Sequence, residues 1–235
     1  MLHITFLEHS GFLVETDRQY LLFDWWKGEL PPITADKPLY VFASHQHHDH
    51  FQPGIFALPA VRYFLGCDIR LDRHNREKWK LSPETAECCL CLKGNERREL
   101  PDLLVETLPS TDEGVAFLVT SGGVTLYHAG DLNWWHWEEE GKDWNGTMAA
   151  NFRRYLEPLR QRHIHVAFAP LDPRQGGAYD WGLTYLLGLA RIDTVFPMHQ
   201  WDDFALTRRF LQEHPELAPQ IQPVDFPGQQ WTLPL

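Results

Sequence analysis

The alternation of apolar and polar stretches predicts a strand-rich first half and a second half of mixed pattern. Short apolar runs separated by turn residues predict strands. These strands are predicted at 2–7, 11–16, 19–24, 39–43, 61–65, 85–91, 103–108, 115–120 and 124–128. Short helical segments are predicted at 54–58 and 72–80, where the pattern is interrupted or polar. The first half therefore reads as mainly β-structure.

The second half alternates helical and strand-like patterns. Apolar residues recur at helical spacing through 147–162, and the same reasoning predicts helices at 183–190 and 206–213. Strands are predicted at 164–169, 194–196 and 231–233. No internal repeat or linker divides the chain. Many strands followed by alternating helices and strands predict one α/β domain over 1–235, with two sheets.

Composition and charge narrow the class of partner. The 235 residues are 43% hydrophobic, enough for a substantial core. A formal net charge of -11 disfavours nucleic acids and anionic membranes, which require a basic surface. No apolar run reaches the roughly 18 residues of a transmembrane helix, and the first residues lack the pattern of a signal peptide. We expect a cytoplasmic protein that acts on a small-molecule substrate. A homo-oligomeric state is compatible with these features.

The densest chemical signal is the sequence Ser-His-Gln-His-His-Asp-His at 44–50. It follows an apolar strand and precedes Pro53-Gly54, which places it on a loop. His45 and His47 point to the same side of an extended segment, whereas Asp49 and His50 lie beyond the bend. Imidazole and carboxylate groups are ligands for zinc and similar divalent metals. Four such groups on one short loop suit two metals better than one.

Three further side chains follow predicted strands. Asp131 follows an apolar strand and the turn at Gly130, and its two carboxylate oxygens could bridge two cations. His199 ends a short strand, and Asp24 ends another, where it could accept a bond from a metal-bound imidazole. Taken singly, Asp131 also fits an ordinary aspartate in a turn, His199 a packed histidine, and Asp24 an aspartate at a strand end.

Taken in order, these motifs resemble those of the metallo-β-lactamase superfamily. The resemblance rests on 44–50, on His-Ala-Gly-Asp at 128–131 and on Pro-Met-His at 197–199. Glu-His-Ser-Gly at 8–11 and the strand end at Asp24 resemble its branch of metal-dependent hydrolases, which includes lactonase-like and phospholipase-D-like members. The resemblance covers nearly the whole chain, from about residue 3 to 201. It implies a four-layer αβ/βα sandwich, two mixed β-sheets flanked by helices, with metals at one edge of the sheets.

The resemblance also implies a ligand set for one or two zinc ions. It assigns His45 and His47 to the first metal, Asp49, His50 and His199 to the second, and Asp131 to a bridge between them. Asp24 and His9 would support these ligands from behind. The family usually has a third histidine for the first metal, and the matching region 108–112 has none. The candidates for its place are Ser110, Asp112, His128 and His136. An oxygen-rich first site would favour Mn²⁺, and iron is also compatible.

Tryptophans crowd these motifs in the sequence. They are Trp25, Trp26, Trp134, Trp135, Trp137 and Trp201. Core packing is one interpretation. We favour an aromatic pocket wall, which would suit a sugar ring, an acyl chain or a quaternary ammonium group. Arg174, in a loop after a predicted strand, either clamps a carboxylate or phosphate of the substrate or pairs with Asp172 or Asp180.

The sequence favours a metal-dependent hydrolase. A water activated by the metals would attack an ester, lactone, amide or phosphodiester of a small anionic or ring-bearing substrate. Asp49 and Asp131 are the expected catalytic carboxylates, with Asp49 moving a proton to the leaving group. Two alternatives remain open, an iron-dependent oxidoreductase on the same scaffold and a non-catalytic sensor that binds a metal or another ligand.

Overall fold

The computed structural model describes residues 1–234, which divide into two compact units. The first unit combines Met1–Lys93 with the C-terminal segment from Phe226, and the second comprises Gly94–Asp225. The strands are β1 (Leu2–Glu8), β2 (Gly11–Glu15), β3 (Tyr20–Phe23), β4 (Leu39–Ala43), β5 (Ala60–Gly66), β6 (Cys89–Leu92), β7 (Arg97–Leu100), β8 (Leu103–Pro109), β9 (Val115–Ser121), β10 (Val124–His128), β11 (His163–Pro170), β12 (Arg191–Met198) and β13 (Gln230–Leu233). The expectation of a single domain stays a prediction.

Each unit is built on one mixed sheet. The first sheet has the order β13-β1-β2-β3-β4-β5-β6, antiparallel as far as β3 and parallel from β3 to β6. The second has the order β12-β11-β10-β9-β8-β7, parallel from β12 to β10 and antiparallel beyond. The carboxyl ends of adjacent parallel strands meet at one sheet edge, where open α/β sheets bind ligands. Strands β3 and β4 in the first unit, and β10 to β12 in the second, lead directly into the predicted motifs.

The helices are short except for one. They are α1 (Arg73–Lys78), α2 (Pro83–Glu87), α3 (Lys142–Leu156), α4 (Trp181–Leu189) and α5 (Ala205–Glu213), with 3₁₀ turns at Pro53–Ala57, Glu157–Leu159, Pro173–Ala178 and Pro215–Leu217. Helix α4 packs on β11 and β12. Within residues 1–234, no helix has the length and apolarity needed to cross a membrane.

Aromatic side chains fill the core of the first unit beside the parallel strands. The ring of Phe42 on β4 stacks on Phe23 of β3 at 4.7 Å and on Phe64 of β5 at 4.9 Å between centroids. All three side chains are fully buried. Burying a side chain of this size contributes roughly 1.5–3 kcal/mol. This packing makes a rigid base for the loops that leave the strand ends.

The predicted fold class is confirmed in its two mixed β-sheets with helices, and the differences are local. Residues 85–91 are not one strand, because Ser82 caps helix α2 by accepting a hydrogen bond from the Thr85 backbone N–H before β6 begins. Helix α3 ends at Leu156 instead of continuing to 162, since Pro158 follows. Strand β7 went unpredicted because its sequence, Arg-Arg-Glu-Leu, is that of an exposed edge strand.

Gly66, the last residue of β5, lies against the loop that follows β4. A Cβ atom at this position would lie 2.1 Å from the Ser44 carbonyl oxygen and 2.7 Å from Asp68 Oδ1. The other oxygen of Asp68 accepts a hydrogen bond from the Gln46 backbone N–H at 2.6 Å. The end of β5 therefore holds the histidine loop by close backbone approach and by one carboxylate.

We expect Gly66→Ala to destabilise the protein by about 1–3 kcal/mol, because the added methyl group must displace the backbone at Ser44. Gly146→Ala is the matched control, since Gly146 lies in α3 with open space at the Cβ position. The control should be neutral or stabilising, because alanine is the better helix former. Urea unfolding measures both, and equal free energies of unfolding for Gly66→Ala and wild type would contradict the argument.

Candidate metal centre

In the first unit, Asp24 holds the histidine loop, residues 44–50, in place by hydrogen bonds. It follows β3 and is fully buried. Its carboxylate accepts hydrogen bonds from the Ser44 backbone N–H at 2.7 Å, the Ser44 hydroxyl at 2.6 Å and His50 Nδ1 at 2.8 Å. Because β3 and β4 are parallel and adjacent, Asp24 lies beside the point where the chain leaves β4. One carboxylate thus fixes both ends of the loop.

These bonds also decide which nitrogen of each imidazole carries the proton. His50 donates from Nδ1 to Asp24, so the lone pair of the neutral ring lies on Nε2. The Ser44 hydroxyl proton is used on Asp24, so Ser44 Oγ accepts from His45 Nδ1 at 2.9 Å. The lone pair of His45 therefore also lies on Nε2. A carboxylate behind an imidazole is the usual support for a metal-binding histidine.

His45 and His47 form a first pair of donors. His45 Nε2 and His47 Nδ1 are 3.0 Å apart. Two nitrogen ligands of one tetrahedral zinc, each at about 2.0–2.1 Å from the metal, lie about 3.3 Å apart. The intervening Gln46 is exposed. The spacing of this pair fits two ligands of one ion.

His9, Asp49 and His50 form a second group of donors in the same unit. Each offers one ligand atom, and the three atoms lie within 4.8 Å of one another. His9 Nε2 is 3.5 Å from Asp49 Oδ2, and all three residues are buried. The resemblance implies a supporting role for His9, whereas the structure places its ring nitrogen among the candidate ligands.

The second unit presents Asp131 at the turn after β10. The backbone carbonyl of Asp131 accepts hydrogen bonds from the Trp135 indole at 3.0 Å and from the Thr111 hydroxyl at 3.4 Å. Asp112 offers an oxygen within 4.8 Å of the ligand oxygen of Asp131. Two carboxylates therefore face one another at this turn, and Asp131 is the buried member of the pair.

His199 stands beside Asp131 at the end of β12. Its Nε2 lies 3.3 Å from Asp131 Oδ1, and its Nδ1 donates to Asp172 at 2.9 Å. Burial alone would raise the pKa of the Asp172 carboxyl. The hydrogen bonds from His199 and Arg174 outweigh burial and lower that pKa to about 2. Asp172 therefore supports His199 as a carboxylate, as Asp24 supports His50.

Three of these residues adopt the left-handed backbone region. The φ angles are 54° at His9, 41° at Asp24 and 66° at His199. Non-glycine residues rarely adopt positive φ, and such conformations concentrate at functional sites. The fold thus accepts backbone strain where it aims the imidazoles and the Asp24 carboxylate.

The four candidates for the missing histidine have different surroundings. Asp112 lies beside Asp131, and Ser110 Oγ accepts a hydrogen bond from the Asp112 backbone N–H. His128 is buried and its Nδ1 accepts from the Gly130 backbone N–H at 3.2 Å, which shapes the turn before Asp131. The ring of His136 lies 4.8 Å from that of Trp181. Of the four, Asp112 has the position of a ligand.

The predicted aromatic wall divides into separate groups. In the second unit, Trp135 and Trp201 lie 5.6 Å from the His199 ring, and Trp137 stacks on Trp135 at 5.8 Å. Trp134 instead packs on Phe152, Trp181 and Tyr185.

Two predicted wall residues lie in the first unit. Trp25 packs against the apolar core of that unit, and its indole donates to the Gly28 carbonyl. The ring of Trp26 lies edge-on to exposed His48 at 6.3 Å.

Sequence reasoning missed the roles of Asp172 and Thr111. Asp172 was weighed only as a partner of Arg174, and the structure shows that it pairs with both Arg174 and His199. A signal was present, because Asp172 follows a buried strand that is parallel to β12, and the ends of parallel neighbours meet. Thr111 gave no signal, since its role depends on the loop geometry around Asp131.

Comparisons with known proteins identify the family. Residues 3–143, more than half of the chain, match the family described as the beta-lactamase superfamily domain. The chain belongs to the metallo-β-lactamase superfamily. No protein of curated function matches it significantly.

Solved structures share the fold at low sequence identity. Igni18, a metallo hydrolase from Ignicoccus hospitalis, matches with a TM-score of 0.66 and 19% identity, over 100% of this chain and 99% of that one. An isothiocyanate hydrolase from Delia radicum gut bacteria matches with a TM-score of 0.60 and 14% identity, over 98% and 99%. The diiron β-hydroxylase CmlA from Streptomyces venezuelae matches with a TM-score of 0.65 and 9% identity, over 99% of this chain and 54% of CmlA. At these identities the likeness shows the fold.

We expect Asp24→Asn to lower the free energy of unfolding of the metal-free protein by about 2–4 kcal/mol, because buried donors on Ser44 and His50 lose a carboxylate acceptor. Asp102→Asn, at an exposed carboxylate, is the control and should change stability by no more than about 0.5 kcal/mol. Urea unfolding in the presence of a chelator makes the comparison. Equal stability of both variants would show that Asp24 does not hold the loop.

Proposed function

We propose that this protein is a metal-dependent hydrolase that binds two divalent metal ions. The observation that carries the proposal is the pair of carboxylate–imidazole contacts, Asp24 with His50 and Asp172 with His199. Each engages Nδ1 and leaves the lone pair on Nε2, an arrangement in which a supporting carboxylate fixes the tautomer of a metal-binding histidine. The donor set of imidazoles and carboxylates fits zinc, and its carboxylate share also fits manganese or iron.

The proposed ligands follow the resemblance with one change. We assign His45, His47 and Asp112 to the first metal, Asp49, His50 and His199 to the second, and Asp131 to both. Asp112 takes the place of the absent histidine, a choice supported by its position beside Asp131. His9 is a further donor on the side of Asp49 and His50.

When bound, the metals would act as Lewis acids on a carbonyl or phosphoryl oxygen and lower the pKa of a water ligand toward neutrality. The residues of the chain supply the proton path. Asp49 accepts the proton of the attacking water and passes it to the leaving group. No serine or cysteine nucleophile takes part.

The substrate we propose is a small ester, lactone, amide or phosphodiester that carries a ring. The indoles of Trp135, Trp137 and Trp201 beside His199 support this choice, because aromatic faces bind rings and acyl groups. Arg174 is already paired with the buried carboxylate of Asp172. Its charge is therefore largely neutralised, and a neutral ring-bearing acyl group suits the surroundings better than a bare phosphate.

The test compares two adjacent histidines in the protein loaded with Zn²⁺ or Mn²⁺. His47→Ala and Asp131→Asn should lower hydrolysis by about 100-fold or more, since several kcal/mol of transition-state stabilisation would be lost. His48→Ala, at an exposed position on the same loop, should retain activity. A panel of aryl esters, lactones, anilides and bis(p-nitrophenyl) phosphate provides the readout. Full activity in His47→Ala would contradict the proposal, and metal binding without any turnover would favour the sensor.

A second candidate function is that of an iron-dependent oxidoreductase. The carboxylates Asp49, Asp112 and Asp131 favour it, because oxygen donors suit iron, and a diiron hydroxylase shares the fold. Anaerobic purification with iron followed by measurement of oxygen uptake distinguishes it from the hydrolase. Oxygen uptake without hydrolysis of any panel substrate would move this function ahead of the first.

A further inference from the structure

The guanidinium group of Arg174 pairs with Asp172, the carboxylate that accepts the hydrogen bond from His199 Nδ1. Its Nε lies 2.9 Å from Asp172 Oδ1 and its Nη2 lies 2.5 Å from Asp172 Oδ2. The backbone N–H of Arg174 donates to the same carboxylate at 2.8 Å, and His199 Nδ1 donates at 2.9 Å. Both oxygens of the buried Asp172 are therefore fixed, and the arginine fork donates to each of them, with Nε also 3.0 Å from Oδ2.

Two tryptophans hold the arginine side chain in place. The guanidinium carbon lies 4.6 Å from the centre of the Trp201 ring and 5.6 Å from that of Trp137. The Arg174 side chain is 48% exposed, and exposed ion pairs usually contribute little because two mobile side chains must be ordered. Stacking on indole faces removes much of that mobility before the ion pair forms. This arginine is thus ordered by aromatic contacts although it lies at the surface.

The position of His199 makes such support necessary. The residue lies beyond the last residue of β12 and has a left-handed backbone. The bond to Asp172 fixes the tautomer and orientation of the imidazole, and the rings of Trp135 and Trp201 pack against it. A carboxylate that could rotate would let the imidazole rotate with it.

We propose that Arg174 is a positioning residue for the ligand His199, acting through Asp172 and held by Trp137 and Trp201. The inference rests on the proposed function, in which His199 binds a metal. It replaces the alternative in which Arg174 clamps an anionic group of the substrate. Positioning and charge make opposite predictions, because removing a cation near a metal would by itself strengthen metal binding, whereas releasing Asp172 would weaken it.

The experiment measures metal affinity and coordination, not turnover. Zn²⁺ affinity is determined by competition with a chromogenic chelator, and the visible spectrum of the Co²⁺-loaded protein reports ligand geometry. Arg174→Gln should lower the affinity for one of the two metal ions by about tenfold, within the range found for residues that hydrogen-bond to metal ligands, and should alter the Co²⁺ spectrum. Arg174→Lys keeps the charge but loses the planar fork, so we expect a similar loss.

The matched control is Arg153→Gln. Arg153 also stacks on an indole, with its guanidinium carbon 4.3 Å from the Trp134 ring, but it is not among the contacts of Asp172. It should leave Zn²⁺ affinity and the Co²⁺ spectrum as in wild type. Thermal unfolding of all the variants confirms that each is folded.

Three results with the Arg174 variants would overturn the inference, and one result with His199→Ala would overturn it together with the proposed function. Wild-type affinity and spectrum in Arg174→Gln would show that His199 needs no such support. Wild-type behaviour in Arg174→Lys alone would show that charge and not the fork is responsible, as would tighter binding in Arg174→Gln. His199→Ala separates this failure from that of the proposed function, because unchanged metal binding in that variant would remove His199 from the ligand set and overturn both.

Discussion

The candidate site depends on carboxylates that stand behind imidazoles. Asp24 holds His50 directly and His45 through Ser44, and Asp172 holds His199. In each case the carboxylate determines the tautomer, and the tautomer determines which nitrogen can bind a metal. Without these bonds the buried imidazoles would lose the partners that fix their tautomers. The proposed metal chemistry therefore depends on residues that need not touch a metal.

The sheets provide what these carboxylates need. Asp24 follows β3 beside the start of the histidine loop, and Asp172 follows β11 beside the end of β12. In both units a carboxylate leaves one parallel strand and supports a histidine from the neighbouring strand. This repeated arrangement follows from parallel pairing, because the carboxyl ends of adjacent strands lie at the same sheet edge only when the strands are parallel. The left-handed backbone at Asp24 and His199 is the local cost of turning the side chains to meet.

Most of the strands could be predicted from periodicity, because each unit buries its sheet and the apolar runs are clear. Strand β4 was predicted with its observed bounds, whereas β7 was missed because edge strands carry polar residues for solubility. The ligand candidates were found because His-x-His-x-Asp-His is dense in donors. The roles of Asp172 and Thr111 were not found, since the residues that they contact, His199 and Asp131, lie far away in the sequence. The pairing of Arg174 with Asp172 was one of two alternatives that the sequence left open. His9 was placed behind the ligands because its turn geometry is invisible in the sequence.

Metal content per chain tests the central claim most directly. It is measured by elemental mass spectrometry on protein purified without chelators and then incubated with zinc or manganese. From the arrangement of the donors we expect two equivalents of metal per chain, and we expect them to be retained after gel filtration. No bound metal after incubation would show that the supported imidazoles do not form a metal centre, and the account of this site would be wrong.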